Sequence, residues 1–117
     1  MAELVVHDNE LILQLTAAEK VEGIHGDLRA PLSSVTGVEV LEHAHRAADI
    51  VGLRAGTRIP GVIEVASVHG VNSTIFAAVH HDTPRGVRVK LRDQPHDAWI
   101  VGCADPEAVA ASITHGV

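Results

Sequence analysis

Histidine is the residue type in this sequence most suited to chemistry at neutral pH, with nine copies in 117 residues. His43 and His45 have the one-apart spacing that places two imidazoles on one face of a strand, as acid–base and metal sites require. His69, His80 and His81 are candidate partners, since the strands ending at His69 and His80 are expected to be neighbours. We predict His45 and His80 as a catalytic pair and His43 and His69 as ligand-binding residues. Two alternatives stay open: scattered surface histidines and a transition-metal site, although paired CxxC and HExxH motifs are absent.

Three arginines form a second candidate group, because guanidinium groups favour planar anionic partners. Arg46, Arg54 and Arg58 lie in one irregular stretch and are predicted to bind a small anionic ligand. The alternative is that they pair with Asp49 and Glu64 or only solvate the loop.

A serine or cysteine nucleophile is not indicated. Cys103 ends an apolar strand, where a buried cysteine serves as a small hydrophobic residue, and no Gly-x-Ser-x-Gly elbow is present. Trp99 is predicted either as a core residue or as one exposed hydrophobic contact. The residues imply no cofactor.

Charge and composition exclude several function classes. The formal charge of −6 and the scarcity of aromatic residues argue against nucleic-acid and anionic-membrane binding. No apolar run is long enough to span a membrane. The lone cysteine and the lack of a signal-peptide pattern predict a cytoplasmic protein.

The elements that position these residues are predominantly strands, as a Val-rich and Tyr-free composition favours. We expect a single domain over residues 1–117. The first predicted elements are a hairpin over 3–15, a capping-box helix from Ala17 to Gly23 and one long bent strand over 27–43. An irregular connection over 44–60, in which a helical turn is an option, comes next. Meander strands at 61–68, 74–80, 86–92 and 98–103 and a helix opened by Asp105-Pro106-Glu107 follow.

Several segments together resemble a group of uncharacterised actinobacterial proteins with a pleckstrin-homology-like fold. These segments are PLSSV (31–35), VEV (38–40), GTRIPGVI (56–63), FAAVH (76–80) and DPEAVAA (105–111). The resemblance implies a small antiparallel barrel of about seven strands capped by one α-helix. The sequence departs from the group at Ala44-His45, where a Pro-Trp pair is expected, which would put a titratable group at the barrel mouth. The acidic turn His7–Glu10 disfavours phosphoinositide binding.

Two functions remain open at this point. The first is a non-catalytic binding or protein-interaction module for a small anionic ligand or a protein partner. The second is a small cofactor-free enzyme that uses histidine as general acid or base in a barrel-mouth pocket. Pairing of an apolar edge strand such as Leu4–His7 makes a homodimer possible.

Overall fold

The computed structural model describes residues 2–22, 26–48, 52–59, 63–71, 73–80 and 82–116. Within these ranges the chain forms nine strands, three α-helices and one 3-10 turn. In chain order they are β1 Glu3–His7, β2 Glu10–Gln14, α1 Ala17–Glu22, β3 Leu28–Pro31, the 3-10 turn Leu32–Ser34, β4 Val35–Leu41, α2 Ala44–Ala48, β5 Gly52–Ile59, β6 Ile63–Gly70, β7 Thr74–His80, β8 Gly86–Leu91, β9 Ala98–Gly102 and α3 Pro106–Gly116.

The predicted N-terminal hairpin is confirmed, with β1 and β2 paired from Glu3 opposite Gln14 to His7 opposite Glu10. Its turn residue Asp8 has φ of 48° and Asn9 has φ of 65°. Positive φ at both central residues is typical of a type I′ turn, whose twist matches that of the flanking strands. With β3 added on the far side of β2, the hairpin forms a three-stranded small sheet.

The predicted capping box is also confirmed at the start of α1. The Glu19 N–H donates to Thr16 Oγ1 at 3.2 Å, and the Thr16 N–H donates to Glu19 Oε1 at 2.9 Å. This reciprocal pair satisfies backbone donors that the first helical turn leaves unpaired. The predicted helix end at Gly23 lies outside the described residues.

The single long strand predicted over residues 27–43 is wrong, because the chain turns at its middle. Pro31 ends β3, and the Ser34 hydroxyl donates to the Pro31 carbonyl at 2.7 Å across the 3-10 turn. A proline offers no N–H to extend the ladder, so a turn here is favoured. β3 therefore stays in the small sheet and β4 enters a second one.

The second, large sheet has six strands in the order β4-β8-β9-β7-β6-β5. All neighbours are antiparallel except β7 and β9, which run parallel from Ile75 opposite Ala98 to Ala78 opposite Val101. The meander predicted for the last four strands is therefore wrong in one respect: β9 lies between β7 and β8. Buried on both faces, β7 and β9 are nearly continuous apolar runs, as parallel neighbours usually are.

The connection over residues 44–60 contains helix α2, where a helical turn was one option, but it also contains strand β5 at the sheet edge, which was not predicted. α2 lies directly on the sheet over Gly86. A Cβ at Gly86 would meet the Val101 carbonyl oxygen at 2.2 Å and the Ala44 Cβ at 3.0 Å. Only glycine allows so close an approach.

Two cores lie on opposite faces of the large sheet. The first core lies between the large sheet, the small sheet and α3, and includes Leu11, Leu13, Leu28, Phe76, Ala78, Val89, Trp99 and Ile113. The second core lies between the large sheet and α2, and includes Ala44, Ala48, Val68, Ala77, Val79 and Ile100. The lone tryptophan is thus a core residue, 2% exposed.

The coarse fold class is confirmed: the protein is mainly β with a C-terminal helix. Asp105 caps α3 as predicted, accepting from the Ala108 N–H at 3.2 Å. The seven-stranded closed barrel is wrong. The turn at residues 32–34 separates β3 from β4, and within the described ranges no strand pairing joins the two sheets. The small sheet therefore ends at β1 and β3, and the large sheet ends at β4 and β5.

Candidate functional site

His80 lies at the end of β7 and contacts a buried carboxylate. Along β7 the residues alternate between the two cores, and His80 follows Phe76 and Ala78 on the first-core side. Its Nε2 lies 2.7 Å from Glu19 Oε2. The Glu19 side chain is 1% exposed and the His80 side chain 24% exposed, so the imidazole reaches solvent and the carboxylate does not.

Glu19 joins three separate segments of the chain. Oε1 accepts from the Thr16 N–H, and Oε2 accepts from the Ala2 N–H at 3.1 Å as well as contacting His80. Burial, the largest single influence, raises the pKa of this carboxyl. The hydrogen bonds from Thr16 and His80 together have a larger effect than burial, and they hold the pKa of Glu19 below its usual value.

His45 does not share a site with His80. It lies on α2, whose Ala44 and Ala48 pack into the second core, on the other side of the large sheet. The His43 and His45 rings meet edge to face with centroids 5.9 Å apart, and His43 is exposed. The structure therefore brings His43 and His45 together and keeps the predicted catalytic pair apart.

The remaining predicted ligand-binding residues are dispersed. His69 is exposed near the end of β6, paired with Thr74 of β7, and Arg46 is exposed on α2. Arg54 Nε lies 2.7 Å and Arg58 Nε 3.8 Å from Glu64 Oε1, and the Glu64 side chain is 8% exposed.

The two arginines thus converge on an internal carboxylate, as the alternative in the sequence analysis proposed. Asp49 and His81 lie outside the described residues. Among the residues that are described, no group of three or more His, Cys, Asp or Glu side chains could hold a metal ion. Burial, followed by the charge of Asp105, raises the pKa of the Cys103 thiol to about 11, so little thiolate forms at neutral pH.

Sequence reasoning did not identify a buried histidine, His96, in the loop between β8 and β9. Asp97 fixes this loop against β7: its N–H donates to the Thr74 carbonyl at 2.6 Å, and its Oδ2 accepts from the Thr74 N–H at 2.7 Å. His96 precedes Asp97 in this loop and is buried, with 8% of its surface exposed. Its Nε2 shares a 3.0 Å hydrogen bond with the hydroxyl of Ser67 on β6, itself 8% exposed.

His96 also forms one wall of a pocket that opens beside β3. The ring packs edge to face on Phe76 with centroids 5.7 Å apart. The pocket has a volume of about 150 Å³ and is lined by Asp27, Leu28, Arg29, Gln94, Pro95, His96 and Trp99. Its lining combines three apolar residues with four polar or charged ones, and the pocket is about half open to solvent. We call it the His96 pocket.

The sequence carried little signal for this pocket. Asp93-Gln94-Pro95-His96 was correctly predicted as a turn, but nothing local distinguishes its histidine from a solvent-exposed one. The pairing with Ser67 depends on β6 and β9 both lying next to β7, and this order was not predicted. The only available signal was the position of His96 three residues before the single tryptophan.

Comparisons of the chain with protein-family models, with curated proteins and with solved structures find no match. In the described part of the chain, no helix has the length and apolar character needed to cross a membrane.

Proposed function

We propose that this protein is a non-catalytic binding module for a small molecule, which it holds in the His96 pocket. The observation that carries the proposal is a cavity whose wall contains a buried imidazole, fixed by the Ser67 hydroxyl and by Phe76. Burying a polar group is costly unless it is hydrogen-bonded, and here the partner orients the ring at the pocket wall.

The size of the pocket limits its occupant. Cavities that hold drug-sized ligands measure roughly 300–1,000 Å³. A cavity of about 150 Å³ accommodates benzene in another protein. The His96 pocket therefore suits a molecule of about one six-membered ring with one polar substituent.

Single-ring probes test the proposal directly. Trp99 is the only tryptophan, so its indole N–H gives one assignable NMR signal at the pocket wall. We expect at least one of benzoate, benzamide and benzamidine to shift this signal saturably, with a Kd of about 1 mM, as is usual for so few atoms.

A matched pair of variants locates the binding. Gln94→Phe fills the pocket and should abolish the shift, whereas Arg92→Phe adds the same ring to the same loop outside the pocket lining and should preserve it. The proposal is rejected if none of the three probes shifts Trp99 at about 10 mM.

A binding function is also what the resemblance to pleckstrin-homology-like proteins implies, while a fold by itself does not determine function. We retain that relationship, the actinobacterial origin and a cytoplasmic location as proposals. A homodimer through the β1 edge is a further proposal, which mass measurement in solution tests.

The contact between Glu19 and His80 favours a second candidate function, a small enzyme in which His80 is the general acid or base. A buried carboxylate that orients a partly exposed imidazole is a recurring arrangement in acid–base catalysis. The elimination of 5-nitrobenzisoxazole, which needs only a base to remove one proton, reports a general base. Under this alternative His80→Gln lowers the rate and His45→Gln does not, while equal rates in both variants and the wild type would remove it.

A further inference from the structure

The His96 pocket opens beside the free edge of the small sheet. β3 pairs with β2 on one side only, and Asp27, Leu28 and Arg29, at the start of β3, line the pocket. An edge strand has backbone N–H and C=O groups that point away from the sheet and lack a partner. The directions of these groups in β3 decide what the pocket offers a ligand.

Alternate residues of β2 direct their backbone groups towards β3. The Asn9 carbonyl, just before β2, accepts from the Leu32 N–H at 2.8 Å, and the Leu15 N–H, just after β2, donates to Asp27 Oδ1 at 2.9 Å. Both bonds lie on the β3 side of the strand. Since these directions alternate along a strand, the odd-numbered residues of β2 point towards β3 as well.

Arg29 consequently points its backbone away from β2. Ala30 lies opposite Leu11 and Leu28 opposite Leu13, so Ala30 and Leu28 direct their N–H and C=O groups at β2. Arg29 lies between them and directs its own two groups at the free edge. In the part of the chain that the structure describes, neither of these two groups has a hydrogen-bond partner.

The side chain of Arg29 is not part of this arrangement. Side chains along β3 are alternately buried and exposed, and that of Arg29 is exposed. Its Nη1 lies 3.7 Å from Glu10 Oε1 on the outer face of the small sheet. Arg29 therefore borders the pocket with its backbone, which offers one donor and one acceptor.

The free edge is too short to bind a peptide strand. The next residue that faces it, Pro31, has no N–H, and its carbonyl accepts from the Ser34 hydroxyl at 2.7 Å. One residue with both groups available suits a single amide group instead. A pocket of about 150 Å³ likewise suits a small molecule rather than a chain segment.

Trp99 supplies a second donor. Its side chain is 2% exposed and lines the pocket. An indole N–H only donates, and it usually finds an acceptor when it is buried. Among the described residues none accepts from Trp99 Nε1, and this nitrogen is not one of the fully enclosed side-chain atoms that lack a partner. A carbonyl oxygen in the pocket can therefore accept from it.

The charged groups at the rim favour neither sign of ligand charge. Asp27 Oδ1 accepts from the Leu15 N–H, and Lys20 Nζ lies 3.7 Å from the same oxygen. Asp27 and Lys20 together carry no net charge. An ionic ligand would lose hydration here without gaining a free counter-charge from this pair, whereas an uncharged ligand avoids that cost.

From these groups we infer that the ligand of the His96 pocket is an uncharged single-ring amide, either a carboxamide or a lactam. An amide oxygen has two lone pairs, which match the N–H groups of Arg29 and Trp99, and an amide N–H matches the Arg29 carbonyl. The ring would lie against the apolar part of the lining, which includes Leu28 and Pro95. This inference rests on the proposed function, to which it adds the ligand class.

Four probes of similar size separate charge from hydrogen bonding. Benzamide has the whole amide group, acetophenone has only its carbonyl, benzoate is an anion and benzamidine is a cation. We expect benzamide to have the lowest Kd and to move the Trp99 indole proton downfield. The Kd of acetophenone should be about fivefold higher, because one neutral hydrogen bond is lost. The Kd values of benzoate and benzamidine should be about tenfold higher or more.

Two variants of one residue separate its backbone from its side chain. Arg29→Pro removes the N–H that faces the free edge, a position where a strand tolerates proline, and should raise the Kd of benzamide about fivefold. Arg29→Ala, the matched control, removes the guanidinium and keeps the N–H, so its Kd should equal that of the wild type. If Arg29→Pro does not fold, the wild-type backbone signals decide. Benzamide should shift the Arg29 amide proton saturably and leave that of Ile12, which faces β1, in place.

The outcomes distinguish this inference from the proposed function. Tighter binding of benzoate or benzamidine than of benzamide overturns the uncharged class and leaves the pocket a binding site. Equal Kd values for acetophenone and benzamide overturn the amide assignment. A loss of affinity in Arg29→Ala as large as that in Arg29→Pro overturns the role of the backbone. Failure of benzamide, benzoate and benzamidine to shift Trp99 overturns the proposed function itself.

Discussion

Two histidines on the same face of the large sheet have partners of different chemical kinds. His80 contacts the carboxylate of Glu19, which is almost completely buried, whereas His96 shares a hydrogen bond with the hydroxyl of Ser67. An ionised carboxylate only accepts, so it requires a proton on the facing ring nitrogen, while a hydroxyl accepts or donates. The first arrangement requires a proton on Nε2 of His80, whereas the Ser67 hydroxyl makes no such requirement of His96.

This difference separates a stabilising site from a binding site. Glu19 holds the N-terminal segment, α1 and β7 together, so the fold depends on its charge. Ser67 and His96 contact each other inside the first core, and the ring lines the pocket. An adaptable partner suits a residue that must respond to a ligand.

The largest expected effect is on stability, from removing the Glu19 carboxylate. Glu19→Ala leaves two backbone N–H groups and His80 without their acceptor, and we expect the free energy of unfolding to fall by about 3 kcal/mol. Urea denaturation measures it. The control is Glu39→Ala, which breaks exposed contacts with Arg88 and Lys90 and should cost less than about 1 kcal/mol. Similar losses of unfolding free energy in the two variants would show that burial of the Glu19 carboxylate does not contribute to stability.

The second prediction concerns acid stability. Burial raises the pKa of Glu19, but its hydrogen bonds lower this pKa by more than burial raises it. The pKa therefore lies below the ordinary 4.5. The unfolded chain therefore takes up this proton first as the pH falls. The stabilisation is complete at neutral pH and is lost progressively below about pH 5. Urea midpoints between about pH 6 and 3 should fall less steeply in Glu19→Gln than in the wild type. Parallel slopes would contradict the lowered pKa.

Local signals were sufficient to predict the stabilising site only in part. The Thr16–Glu19 capping box and the Asp8-Asn9 turn depend on residues close in sequence, and both were predicted. The contact from Glu19 to His80 spans 61 residues, and the contact from Ser67 to His96 spans 29. The first depends on how α1 packs against the large sheet, and the second depends on β9 lying beside β7. Alternation along one strand cannot reveal which strand lies beside it, so it could neither predict the His96 pocket nor correct the closed barrel that the resemblance implied.

A smaller effect is expected from removing the hydroxyl partner of His96. Ser67→Ala deletes one neutral hydrogen bond inside the core and should lower the free energy of unfolding by about 1 kcal/mol. It should also weaken the binding of benzamide severalfold, because the ring loses the group that orients it. Ser112→Ala, an exposed change on α3, is the control and should alter neither quantity. A loss as large as that of Glu19→Ala would remove the distinction between the two sites.

The smallest effect, and the most direct test of the comparison, is the position of a single proton on each ring. Because Glu19 Oε2 accepts at 2.7 Å, neutral His80 should exist almost entirely as the Nε2–H tautomer. The Ser67 hydroxyl, which can donate or accept, imposes no tautomer of its own on His96, and long-range ¹H–¹⁵N NMR spectra at pH 8 resolve the pattern of each ring. Glu19→Gln keeps an acceptor oxygen but adds an N–H donor, so it should reduce the preference at His80 and leave His96 unchanged. An Nδ1–H tautomer at His80 in the wild type would mean that Glu19 does not accept from this ring, and the contrast between the two histidines would no longer hold.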